Sequence, residues 1–119
     1  MGSIYSKILV VVLLFIGEAL SIYAEMVGAR SNQIASQPFL QIFLKMFLLI
    51  TFAGGFLIAG YMLGLNAFKN IWIVSAASIT SILIVEPILS WLFFQQIPTT
   101  GALIGFVLGV IGLFLSVFF

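Results

Sequence analysis

Apolar residues run almost unbroken through four stretches, Ile8 to Val27, Met46 to Leu65, Ile71 to Phe94 and Gly101 to Phe119. Each is close to the ~20 residues that an α-helix needs to cross a bilayer. Polar positions gather between the stretches: Gly28 to Gln37 followed by Pro38, Asn66 to Asn70, and Gln95 to Thr100 with Pro98. Proline and glycine punctuate connections of this kind. The pattern predicts an all-α integral membrane protein, one domain over residues 1–119 with four transmembrane helices. Segment Pro38 to Lys45 is mildly amphipathic, and Lys45 lies near enough to the membrane edge for its stem to carry the ammonium group to water.

Composition sharpens this picture. Hydrophobic residues are 64% of the chain and charged ones 6%, with a mean hydropathy of +1.38. No water-soluble domain of this size keeps such a surface. The first stretch has one competing reading, a secretory signal, because Lys7 precedes the run and Ser21 and Ala24 follow it. The run extends to Val27, beyond the ~7 to 15 apolar residues of a signal core, and a spanning helix is expected instead. Cysteine and histidine are absent, so thiolate and imidazole chemistry, zinc sites and disulfides are excluded. Four scattered basic residues make no nucleic-acid surface. No nucleophile elbow, phosphate loop or metal-ligand cluster occurs, and Ser90 has no base in sequence register with it, so neither an enzyme, a metal nor a cofactor is expected.

Charge next bears on topology. With four spans, Lys7 and Lys69 fall on one side of the membrane and Arg30 and Lys45 on the other. A two-against-two tally gives no positive-inside bias. Chains inserted both ways can pair about an axis in the membrane plane and recreate the inverted repeat of many transporters. An antiparallel dimer is the expectation, with a single orientation set by another factor as its alternative.

Two acids lie inside the apolar runs, Glu18 in the first and Glu86 in the third. A charged group at the bilayer centre costs about 2.5–3.5 kcal/mol on insertion scales, and such residues mark ion or substrate pathways. Val11, Leu14, Glu18, Ser21, Ile22 and Glu25 follow spacings of three and four and predict one stripe on the first helix. Glu25 lies about 10 Å from Glu18 along the axis, nearer the interface. A deep carboxyl group that holds either a proton or a cation is the requirement for exchange; packing glue between helices is the structural alternative. On the third helix Ser75, Ser78, Ile82, Glu86 and Leu89 predict a polar track toward the second acid. Pro87 removes its own N–H and disturbs the Leu83 carbonyl, which predicts a kink. The small residues Gly101, Gly105, Gly109 and Gly112 predict a helix seam, with dimerisation favoured, and Gly60 with Gly64 repeats the spacing once. Tyr5, Tyr23, Tyr61, Trp72 and Trp91 are read as interfacial rings.

The stretch Val85 to Leu115, VEPILSWLFFQQIPTTGALIGFVLGVIGLFL, resembles the closing helix pair of the drug/metabolite transporter superfamily, in which EamA-type members carry an acid before a proline and a glycine-rich last helix. Four spans with an acid midway along the first resemble the small multidrug resistance branch. That resemblance implies a dimer in a prokaryotic plasma (inner) membrane, with Glu18 as shared proton and cation site and Gly101, Gly105 and Gly109 on the dimer helix. Aligning its serine-tryptophan pair on Ser90 and Trp91 places Ser75 and Ser78 where that branch has a tyrosine and a tryptophan, and Glu86 points to the EamA side. The function expected is secondary transport: proton-coupled exchange or export of a small cationic or polar metabolite, with Glu18, Glu86, Ser75, Ser78 and Ser21 binding substrate and protons. A subunit of a lipid-linked sugar flippase, acting with a different partner chain, and a non-transporting scaffold are the alternatives.

Overall fold

A computed structural model describes residues 4–34 and 38–119. They form four helices, α1 (Ile4–Ile34), α2 (Phe39–Phe68), α3 (Ile71–Phe94) and α4 (Thr100–Phe118). Three of them, α1 to α3, are long and apolar enough to cross a membrane; the chain is an integral membrane protein of the helical class. At 1.5 Å per residue, α1 with its 31 residues is about 46 Å long, well beyond the ~30 Å of bilayer hydrocarbon. The last helix has 19 residues and is the shortest, about 28 Å by the same rise.

Helices α1 and α2 extend beyond the sequence expectation at both ends, most at the end of α1 and the start of α2. The stretch from Gly28 was read as a connection, yet α1 continues to Ile34, because no proline interrupts it before Pro38 and helical N–H groups retain their partners. Residues 35–37 of that connection lie outside the described residues. The amphipathic segment beginning at Pro38 is the opening of α2. Pro38 is its N-cap, extended at φ −60° and ψ 140°, and its carbonyl accepts from the Gln41 and Ile42 N–H groups. Proline suits this place because its neighbours' orphan donors need a carbonyl while its own missing N–H costs nothing. The third helix ends as expected. Asn70 caps its start by accepting from the Trp72 N–H at 2.9 Å, and Thr99 does the same for α4 through the Ala102 N–H at 3.1 Å.

Lys69 and Gln95 end α2 and α3 in the left-handed region, at φ 60° and 53°. Each N–H there returns to the carbonyl four residues earlier, Leu65 and Trp91, closing the helix in the manner that glycine usually serves.

Helices α1 and α2 pack along most of their length as an antiparallel pair. Val10 meets Gly64, Leu14 meets Gly60, Gly17 meets Leu57 and Gly28 meets Met46; the residue numbers in every pair sum to 74, the signature of one unbroken register. Small residues alternate between the helices, so each large side chain lies against a glycine and the backbones approach closely. Gly60 and Gly64, read as a repeated small-residue spacing, therefore pack within the chain. The largest fully buried side chains are Val10, Leu14 and Val74, with Leu57, Tyr61, Phe68 and Ala77 packed around them. Tyr61 belongs to this core rather than to an interfacial ring. Lys7 lies 5.7 Å from the Phe68 ring centre, which brings it to the end of the bundle where Lys69 sits.

Among the described residues the last helix touches only α3. The molecule is accordingly a slab, 52 × 34 × 17 Å, with α4 on its flank.

Candidate functional site

The acid midway along α1 has its environment set by helix rotation. Gly17 faces α2, where a Cβ would come within 2.7 Å of Leu57. Glu18, about 100° further round the same helix, faces α3. There Ser78 is the neighbour whose hydroxyl interacts with the Glu18 carboxyl group. Ser78 is 6% exposed and Ser81, one turn on, 4% exposed. Ser81 donates to the Ala77 carbonyl at 3.0 Å, Thr80 to the Ala76 carbonyl at 2.7 Å. These back-bonds satisfy the two hydroxyls within α3. Ser78 has no such bond among those of the described residues, which leaves its hydroxyl for the acid.

α1 and α3 run parallel, and the seam continues above this level: Ser90 donates to the Met26 sulfur at 4.0 Å, and the Tyr23 and Phe93 rings are 5.7 Å apart. Glu18 and Ser78 thus lie partway along a tight, mostly apolar helix pair. One carboxyl group, one hydroxyl and a wall of small residues can pass a proton or hold an ammonium group.

The expected stripe on α1 divides. Leu14 and Ile22 are buried, Glu18 and Ser21 half-buried, and Val11 and Glu25 exposed. The physical reason is that α1 has two neighbours, so its buried arc follows Val10, Leu14, Gly17 and Ala24 against α2 as well as Ile22. On α3 the buried set is Val74, Ala76, Ser78, Ser81 and Val85. Ser75 and Glu86 are half-buried. Glu86 lies eight residues from Ser78, about 12 Å along the axis, so the two acids do not share one site. Helix α3 runs through Pro87 as a single element. Pro87 lies exposed on the wall of a groove of about 640 Å³ between α3 and α4, together with Ser90, Trp91, Gln96 and Thr99.

Of the four glycines expected at a seam, Gly109 rests against Leu83 of α3, where a Cβ would come within 3.5 Å; Gly101, Gly105 and Gly112 meet nothing within 4 Å among the described residues. Sequence reading missed Ser81, whose signal is its spacing of three from Ser78, and the Met26–Ser90 contact, which carried none. No group of three or more potential metal-ligating side chains occurs among the described residues.

Compared with family models, curated proteins and solved structures, the chain matches none.

Proposed function

We propose that this chain is a small secondary transporter of the drug/metabolite type, exchanging protons for a small cationic or polar metabolite at Glu18. The observation that carries this reading is a carboxyl group midway along a spanning helix, facing a buried hydroxyl on the neighbouring helix. An intramembrane acid is a costly residue whose usual return is a role in a proton or ion pathway. Glu18 holds either the proton or the substrate, with Ser78 orienting it and Ser21 and Ser75 beside it; Glu86 serves a second protonation step nearer the far end of α3.

In this reading α4 is the fourth span, its 19 residues falling within the ~17 to 25 that suffice. The working unit is a dimer, in which the unfilled faces of Gly101, Gly105 and Gly112 receive a second copy in antiparallel orientation in the prokaryotic inner membrane. A heterodimer is the variant in which a related chain takes that place. Neither catalysis nor a cofactor is invoked.

The decisive experiment is substrate-evoked current from proteoliposomes of the purified chain, screened against cationic and sugar-like metabolites over a pH series. A pH-dependent current that Glu18→Gln abolishes is the expected result. A current that survives Glu18→Gln removes the proposal.

The groove between α3 and α4 favours a second reading, movement of a lipid-linked sugar. Trp91 offers a ring face, and Ser90, Gln96 and Thr99 offer polar groups on a surface open to lipid. That reading requires sugar-lipid movement sensitive to Trp91→Ala and indifferent to Glu18→Gln. A scaffold, in contrast, tolerates Glu18→Gln in every assay and fails only when Gly105 or Gly109 is enlarged.

A further inference from the structure

The start of α1 and the end of α2 bring two lysines to one end of the bundle. The register that sets Val10 against Gly64 places Lys7, three residues before Val10, opposite Ala67, three residues after Gly64. There the Lys7 ammonium group lies over the Phe68 ring, 5.7 Å from its centre. Lys69 follows Phe68 directly and closes α2 in the left-handed conformation, at φ 60°. Both lysines are exposed. Packed helices have axes about 8–10 Å apart, a gap that two flexible four-carbon lysine stems span from either side. The ring covers one side of the Lys7 ammonium group and leaves N–H donors free for an anion. It also holds the group in place, which reduces the ordering cost of binding.

No side-chain acid balances this pair. The three acids of the chain are Glu18, Glu25 and Glu86. Glu18 is eleven residues from Lys7, about 16 Å along α1, and Glu86 is fifteen residues beyond the start of α3 at Ile71, about 22 Å along that helix. Both distances exceed the ~10 Å over which salt leaves charges in contact. Arg30, at the other end of α1, has Glu25 five residues away, only about 7 Å along the axis. Depth is marked by Tyr5 and Trp72, 77% and 79% exposed, since rings with a polar edge settle at headgroup level. Lys7 is two residues from Tyr5 and Lys69 three from Trp72. The abundant anion at that depth is a lipid phosphate. A zwitterionic headgroup brings its own ammonium group, which the two lysines repel; a headgroup of net negative charge meets attraction alone.

We propose that Lys7 and Lys69 form a binding site for the headgroup phosphate of an anionic phospholipid, with Phe68 positioning Lys7. The site involves neither Glu18 nor transport, so it stands whether or not the chain is a transporter.

The test is quenching of Trp72 fluorescence by lipids brominated high in the acyl chain, in the full chain carrying Trp91→Phe so that Trp72 is the one indole. Brominated phosphatidylglycerol and brominated phosphatidylcholine are compared at equal mole fraction in phosphatidylcholine vesicles at physiological ionic strength. Phosphatidylglycerol should be favoured at Trp72 at least about fivefold, the attraction of one to two lysines near a membrane surface. Lys7→Gln with Lys69→Gln should bring the two lipids within about twofold of parity, whereas arginine at both positions should keep the preference. Arg30→Gln with Lys45→Gln removes the same charge from the other end and should leave the preference unchanged. Far-UV circular dichroism checks the helices, and Lys69→Gln alone, just past the end of α2, decides the matter should the double variant fail to insert, because it should at least halve the preference. Equal quenching by the two lipids in the parent chain overturns the proposal. So does a preference that the Arg30 and Lys45 pair abolishes as fully as the Lys7 and Lys69 pair, which is attraction to net charge alone. A preference abolished by excess inorganic phosphate overturns it too, since the ligand would then be a free anion.

Discussion

Replacing Gly60 by alanine tests whether the α1–α2 register is built on glycine. The new Cβ would lie 2.7 Å from Leu14 Cδ2 and 3.0 Å from its Cγ. Leu14 is fully buried, so it has no open space into which to turn, and its own backbone N–H is 3.5 Å from the added carbon. Overpacking of this kind costs about 1–3 kcal/mol. Alanine recovers about 0.8–1.0 kcal/mol through helix propensity, leaving a net loss of roughly 1 kcal/mol. Gly55→Ala, on the same helix with nothing within 4 Å, gains the propensity term alone. The two variants should differ by about 2 kcal/mol, roughly a 30-fold difference in the unfolding equilibrium. Unfolding by sodium dodecyl sulfate in mixed micelles, followed by far-UV circular dichroism, measures this directly. Equal stability of the two variants would refute the close approach at Gly60. A double-mutant cycle adds a second check: Leu14→Ala should cost at least 1 kcal/mol less in the Gly60→Ala background, because the new methyl group occupies part of the cavity, whereas additivity within ~0.5 kcal/mol would mean the residues do not meet.

Three further outcomes are expected. Ser78→Ala should lower Glu18-dependent transport roughly tenfold, the value of about 1.5 kcal/mol for a hydrogen bond to a charged group, while Ser81→Ala, whose hydroxyl bonds its own helix, should change it less than threefold; initial rates in proteoliposomes separate the two. Lys69→Gly and Gln95→Gly should each stabilise the fold by about 1 kcal/mol in the same micelle titration, since both positions hold a positive φ that costs a residue with a Cβ roughly 1–2 kcal/mol. Removing residues 96–119 should leave α1 to α3 folded, with hydrogen exchange around Val10, Leu14 and Val74 unchanged, because among the described residues α4 touches only α3 and supplies nothing to that core.

Hydropathy alone placed the spanning helices, because in a bilayer every backbone N–H and C=O group must find its partner within the helix and the residues that face lipid must be apolar. The end of α3 at Phe94 and the start of α4 beside Thr99 were legible because polar turn residues and a proline sit there. The extension of α1 to Ile34 was not, since a polar helix leaving the membrane has the same composition as a loop. Glu18 was legible as a site because its charge is out of place in an apolar run. Its partner was not: Ser75 and Ser78 were read by spacing as a track toward Glu86, and the rotation of α3 against α1 set Ser78 beside Glu18.

The glycines show the division most plainly. Spacing at intervals of four marked candidate packing faces on α2 and α4 alike, because it records only that a helix face lacks side chains. What fills that face is a property of the neighbouring helix. Gly60 and Gly64 are occupied by Leu14, Val10 and Val74, whereas Gly101, Gly105 and Gly112 meet nothing within 4 Å among the described residues. The Lys7 ammonium group likewise lies over Phe68 only because α2 returns antiparallel to α1. Sequence by itself determined the membrane environment, the helices and the misplaced acids, all of which follow from local composition and period. Tertiary structure decided which faces meet, because register and rotation are set by how side chains from different helices interlock, and no single helix contains that information.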